Sequence, residues 1–362
     1  MKIRAALLYL MIIVATVIVA ELLARAYAWS PSRDGYTADR LGQWRYYHSA
    51  GGSGDLMPNQ DGHWVIWFHR PYHVQTNSVG LRNTAELSSD AFRILAIGDS
   101  QTFGAYNANE DTWPAWAEND LNRRFKQAGR VQVLNAGISG YTISDELAYL
   151  KDKGVALKPK LVLLAVIEND ITDLRKDLAG TSQRPKAGEL SGMETTLRAM
   201  GRSSALVSLA EQVKTSMQFA AAGVDIKRGE GDRPAPTEAP SDEAQLEGRY
   251  AELFRETVAL LKDKSIPFAV FYIPSAEALD GGPAPTVEPV VRRLTTETGT
   301  PYLDLTPVLQ RQPDPAERLY LLQKAPKTGQ LTGNGHLSRE GHAAVAGAVT
   351  EWLTGSGLIP AL

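Results

Sequence analysis

Four short segments of this 362-residue chain carry residue types that could do chemistry together. The first is Gly98–Asp99–Ser100, followed by Gln101-Thr-Phe-Gly104. A serine on a strand-to-helix turn sits beside exposed backbone N–H groups, which favour an anion. It becomes a nucleophile only when a base takes its proton; otherwise it is a serine that caps the next segment. The second segment is Asn135-Ala-Gly-Ile-Ser-Gly140 and the third is Glu168–Asn169–Asp170. The fourth, Gly333-Asn-Gly-His-Leu-Ser-Arg-Glu-Gly-His342, lies near the C-terminus. Together they supply a hydroxyl, a flexible backbone donor, a side-chain amide and an imidazole. That set suits acyl transfer through a tetrahedral oxyanion.

Such residues must be brought together by the fold. Arg93–Gly98, Val131–Leu134, Leu161–Ile167, Pro267–Ile273 and Tyr302–Leu305 read as short, continuously apolar strands. Helical patterns lie between and after them, at Asp111–Gln127, Ser144–Lys153, Asp242–Lys264, Thr286–Thr298 and Ser338–Leu353. Pro114 fits the first turn of its helix. This alternation predicts an α/β fold, a three-layer α/β/α sandwich around a mostly parallel five-stranded sheet. Three of the four segments directly follow a strand. The carboxyl ends of the strands in such a sheet are where sites form.

The motifs resemble those of the SGNH, or GDSL-type, hydrolase superfamily over about residues 77–353. "ILAIGDSQTFG" resembles its first block, "LNAGISGYT" its second, "AVIENDITD" its third and "NGHLSREGH" its fifth. The resemblance implies a flavodoxin-like fold, a Ser100 nucleophile and a His336 base. It also implies an oxyanion hole from the Ser100 and Gly140 N–H groups and the Asn169 amide. "TNSVGLRN" (Thr76–Asn83) is similar to the lead-in of membrane-anchored members, which act on acyl esters outside the cytoplasm. The implied partner is an acyl ester, with acylated carbohydrate preferred and no cofactor. Water as acyl acceptor makes an esterase, and a sugar hydroxyl makes a polysaccharide O-acetyltransferase.

Two positions depart from the family pattern. The Asp that usually stands two or three residues before the base is replaced by Asn334 and Gly333. Asn334 can still accept the His336 Nδ1–H bond and select the useful tautomer, but brings no carboxylate charge. A weakened enzyme, or an envelope binding protein without catalysis, is the competing expectation. Ile167 stands where many relatives carry glycine, and a branched side chain there is expected to narrow the space beside the oxyanion hole. Glu168 reads as a pocket-rim or solvent-facing carboxylate. Asp99 reads as structural, binding backbone donors, and His342 as a structural residue of the closing helix.

The remaining features bound the setting. With no cysteine, thiol catalysis, disulfide scaffolding and cysteine-ligated metal are excluded. A net charge of -3 gives no support to a nucleic-acid groove. Ala5–Ala20 is sixteen uncharged, mostly apolar residues, preceded by Lys2 and Arg4. A helix over Ile3–Ala24 would be about 33 Å long, enough to span a bilayer with its N-terminus cytoplasmic. Residues 1–28 therefore read as a signal-anchor of the inner membrane, or as a secretory peptide cut after Ala28. Both put the rest in the periplasm or otherwise outside the cytoplasm. Residues 29–90, rich in tryptophan, read as a segment packed on the hydrolase-like domain at 91–356. A flexible insertion is expected at about 223–242. His63, His69 and His73 match no local metal-ligand spacing.

Overall fold

The computed structural model of the chain describes residues 2–28, 56–64, 72–127, 129–178, 204–210, 213, 217, 240–324 and 331–359. Trp29, Trp44, Trp67, His69 and most of the expected insertion at 223–242 lie outside them. The chain opens with helix α1 (Lys2–Ala28). Its stretch Arg4–Ala28 is long and apolar enough to cross a membrane, with a window of mean hydropathy 2.6 that is nowhere buried. Next comes an antiparallel hairpin, β1 (Asp61–Trp64) with β2 (Tyr72–Gln75), which sets His63 opposite His73. Leu56, Tyr72, Val74 and Leu81 are buried in the main core, so the described part of this region is packed rather than free.

The central sheet is parallel and five-stranded, as the sequence predicts. Its strands are β3 (Phe92–Ile97), β4 (Val131–Asn135), β5 (Leu161–Val166), β6 (Phe268–Tyr272) and β7 (Tyr302–Asp304), in the order β4–β3–β5–β6–β7. Strand side chains alternate between faces, and the two sets enter two separate apolar clusters. Leu95, Ile97, Leu134, Leu164 and Val270 join one; Ile94, Ala96, Val133, Leu163 and Phe271 join the other. Both faces are covered, which is why the strands read as unbroken apolar runs.

The Ser100 turn, α2 (Ser100–Phe103), and helix α3 (Trp113–Arg124) follow β3. Helices α4 (Ile143–Tyr149), α5 (Asp170–Leu178), α6 (Pro240–Asp263) and α7 (Val287–Thr298) are packed on the first face. Helices α3 and α8 (Arg339–Gly355) cover the second. The expected helix at Ser144–Lys153 changes at Leu150 into a wider turn through Gly154. A second hairpin, β8 (Tyr320–Lys324) with β9 (Leu331–Leu337), carries His336 and was not legible in the sequence.

His342 is a structural residue of α8. It is buried, and its Nδ1 accepts the Trp113 N–H at 3.1 Å, fixing the start of α3. Burial, reinforced by the charge of Arg82 and by His336, pushes its pKa down to about 3. An unfolded histidine takes a proton near pH 6.5, so the unfolded chain binds more protons between those values. This group therefore contributes stability that falls as pH drops from about 6.5 toward 3. Urea unfolding at pH 7 and pH 5 checks this. His342→Gln is expected to show a shallower loss on acidification than the wild type, and an unchanged slope contradicts it.

Candidate active site

β3 delivers Ser100 through Gly98, which has φ +150. A Cβ at Gly98 would lie 2.3 Å from Thr102 Oγ1, so no side chain fits. Asp99 caps the one-turn helix α2, accepting the Gln101 N–H at 2.9 Å and the Ser100 hydroxyl at 3.2 Å. Its burial pushes the carboxyl up to about 7, and the charge of Asp173 adds to this against the hydrogen bonds from Gln101 and Ser100. Gly137 lies against the same turn: a Cβ there would meet Phe103 N at 2.2 Å. The glycine of the second segment is thus required by the close approach of the loop after β4 to α2.

His336 reaches Ser100 from the other end of the sequence. Its Nε2 is 2.8 Å from Ser100 Oγ. On its other side, Nδ1 faces Asn334 Oδ1 in a short contact, and the same oxygen accepts the His336 backbone N–H at 3.0 Å. Asn334 is 2% exposed and His336 8%, so this relay is shielded from water. Strand register explains how the imidazole is turned inward. Tyr320 pairs with Leu337 but Leu321 with Asn334, leaving Gly335 and His336 bulged out of the ladder. A bulge of this kind re-aims a side chain and is frequent beside active sites. The expectation of a binding protein without catalysis fits a His336 far from Ser100; the 2.8 Å approach runs against it.

Three residues that the sequence reading passed over hold this arrangement. Gln101 Oε1 accepts the Leu337 N–H at 2.9 Å, and its Nε2 donates to Gly335 O at 3.1 Å. Those bonds bracket His336 on both sides. Tyr106, at φ +67, sets its ring edge-on to the imidazole at 5.1 Å. Left-handed backbone is costly for an aromatic residue and clusters at functional sites. Arg82 is buried and donates to the carbonyls of Phe103 at 2.5 Å, Gly104 at 2.8 Å and Asn107, with its guanidinium over the Phe103 ring at 4.3 Å. It ties the 103–107 loop behind α2.

Gln101→Leu removes both bracketing bonds and leaves the N–H of buried Leu337 unpaired. The expected result is a fall in kcat of roughly 10- to 100-fold with KM little changed, because the base is displaced rather than the substrate pocket. Steady-state kinetics on an activated ester check this; an unchanged kcat contradicts it.

Gly140 and Asn169 occupy loops at the same sheet edge, after β4 and β5. Gly140 is exposed with φ +74. Asn169 is exposed and donates one amide N–H to Asp173 at 2.8 Å, one turn into α5, which leaves its second N–H to point elsewhere. Two neighbours have defined partners. Glu168 is half-exposed. It accepts the Tyr272 hydroxyl at 2.6 Å and the Thr286 N–H and hydroxyl at 2.5 and 2.8 Å, capping the start of α7. Ile167 packs against the apolar cluster on the α3 and α8 face, and its N–H donates to Asp170 at 3.0 Å. Among the described residues, no group of three or more His, Asp and Glu side chains is placed to hold a metal. The His63 and His73 rings meet at a tilt of 37° with centroids 5.1 Å apart, and His73 Nε2 pairs with Asp61 at 2.6 Å.

The fold and the serine–imidazole pair define a serine hydrolase of the α/β type. The model of the GDSL-like Lipase/Acylhydrolase family matches residues 96–344, and the chain belongs to that family. It is an enzyme of the esterase and acyltransferase class. No curated protein matches the chain. Among solved structures, it is similar to the acetyl xylan esterase AlAXEase at 15% identity, covering 72% of this chain and 98% of that one, with a TM-score of 0.42. It is also similar to an acetyl xylan esterase from Geobacillus stearothermophilus at 18% identity, covering 72% and 93%, with a TM-score of 0.40. A third is LAE5, an alpha/beta hydrolase enzyme from the metagenome of Lake Arreo, Spain, at 17% identity, covering 75% and 97%, with a TM-score of 0.41.

Proposed function

We propose that the chain is a membrane-anchored serine esterase. It works outside the cytoplasm and removes acyl groups, acetyl above all, from carbohydrate esters. The observation that carries this reading is the Asn334–His336–Ser100 relay, with its 2.8 Å imidazole-to-hydroxyl approach. Asn334 Oδ1 receives Nδ1–H, so Nε2 carries the lone pair that takes the serine proton. Ser100 Oγ then attacks the ester carbonyl. The Ser100 and Gly140 N–H groups and the free Asn169 N–H receive the developing negative charge. His336 passes its proton to the departing alcohol oxygen as the C–O bond breaks. Water, deprotonated by the same imidazole, attacks the acyl-Ser100 and releases the acid.

The reading is tested by acetate release from acetylated xylo-oligosaccharides and from p-nitrophenyl acetate. Release to water from both supports it. Release that requires an added sugar acceptor replaces it with an acyltransferase, and no release from either overturns it. Asn334→Asp supplies the missing charge beside the imidazolium. It is expected to raise kcat by about tenfold or more, whereas Asn334→Ala lowers it. A fall in the Asp variant with intact folding contradicts the role given to Asn334.

A further inference from the structure

Helix α1 is not isolated from the rest of the chain. Glu21, near its C-terminal end, accepts the Ser204 hydroxyl at 2.7 Å and the Ala205 and Leu206 N–H groups at 3.0 Å each. Arg25 donates to the same carboxylate at 2.7 Å. Residues 205–210 are helical, and Val213 and Met217 are helical beyond them. The carboxylate thus meets the positive end of this second helix and satisfies its first free N–H groups. Small residues make the contact: Ala24, Ala28 and Ala205 form a closed cluster, and Ser208 is 2% exposed beside them. Small residues and polar caps of this kind join helices within membranes, where close backbone approach replaces the hydrophobic drive.

The rest of the second helix is oddly dressed for water. Val207, Val213 and Met217 are 41%, 50% and 68% exposed. Leu206 and Leu209 pack against the Ala24–Ala28–Ala205 cluster, which leaves Val207, Val213 and Met217 uncovered. On α1, to which this helix is joined, Val17, Val19, Leu22 and Leu23 are likewise uncovered. From Arg4 to Glu21 a helix rises about 26 Å, against a hydrocarbon core of about 30 Å. Glu21 therefore falls near the outer boundary of the bilayer, where a carboxylate needs partners, and the second helix brings them.

We infer that the segment carrying residues 204–217 is a second membrane-contacting element. It is pinned to the anchor by Glu21 and lays Val207, Val213 and Met217 against the outer leaflet. Its occupant is lipid, by continuity with α1, and the inference rests on the reading of α1 as a membrane anchor. The enzyme is then held to the bilayer at two places far apart in sequence, which restricts its rotation about the anchor.

The absence of cysteine makes the test clean. The full chain is reconstituted in phospholipid nanodiscs as single-cysteine variants V207C, V213C and M217C. V17C on α1 and Q312C on the exposed surface are the references. Each carries a nitroxide, and its accessibility to oxygen and to a water-soluble nickel chelate is compared. V207C, V213C and M217C are expected to favour oxygen as V17C does, and to lose that preference when Glu21→Ala is added while V17C keeps it. Labels at 207, 213 and 217 as open to nickel as Q312C, with V17C in lipid, overturn the inference and leave the anchor standing. A water-exposed V17C overturns the anchor and the inference with it. Labels shielded from both reagents mean a protein covers this face, and also overturn it.

Discussion

Ser100→Ala is expected to leave a folded protein with essentially no esterase activity. The drop in kcat should be about 10⁴- to 10⁶-fold, as for other serine enzymes stripped of the nucleophile. The structure gives the reason. Ser100 Oγ faces His336 Nε2 at 2.8 Å and stands at the start of α2. Removing it deletes the covalent intermediate, so no alternative water is placed as well. The fold should survive, because Ser100 is half-buried and its hydroxyl donates within the site, to His336 or to Asp99. Circular dichroism and thermal unfolding close to wild type, beside a lost activity, are the expected pair of results.

His336→Ala is expected to be almost as damaging, and the double variant no worse than either single one. A hydroxyl without its base is a poor nucleophile, and a base without its hydroxyl has nothing to activate. Groups that act as a unit lose their effect together, so their costs do not add. If Ser100→Ala and His336→Ala each cost about 10⁴-fold and the double variant cost about the product, the two residues would be acting separately. That result would contradict the relay through which Asn334, His336 and Ser100 are read as one device.

A third expectation concerns pH and stability. Asp99 is buried with its carboxyl pushed up to about 7. Between about 4 and 7 the folded chain holds a proton that the unfolded chain has lost. This carboxyl therefore contributes stability at low pH that is lost as pH rises toward 7, opposite in sign to His342. Asp99→Asn is expected to flatten that part of the profile, seen as a smaller fall in the urea midpoint between pH 5 and pH 8.

The sheet was legible because its strands are buried on both sides. Leu161–Val166 is apolar at every position, and no other element of that length gives so plain a signal. The Ser100 and His336 segments were legible from residue type and from their place next to predicted elements. The β8–β9 hairpin was hidden for a physical reason. Leu331-Thr-Gly-Asn-Gly-His-Leu337 has two glycines and no apolar alternation, and its strand character comes from pairing with Tyr320–Lys324. The bulge that turns His336 inward is a property of that pairing, not of local sequence. Gln101 was missed for the same reason: its partners, Gly335 and Leu337, lie 234 and 236 residues away. The cap that Glu168 places on α7 was not legible either, because Thr286 and Val287 lie more than a hundred residues away.

The central claim is that Ser100 is the nucleophile of an acyl transfer. Its most direct test is to treat the full chain with a fluorophosphonate and map the adduct by peptide mass spectrometry. The account predicts one stoichiometric adduct, on Ser100, absent from His336→Ala on the same timescale and slowed when an activated acetyl ester is present in excess during labelling. An unlabelled Ser100 in a chain that hydrolyses that ester, or an adduct on another residue, would contradict it.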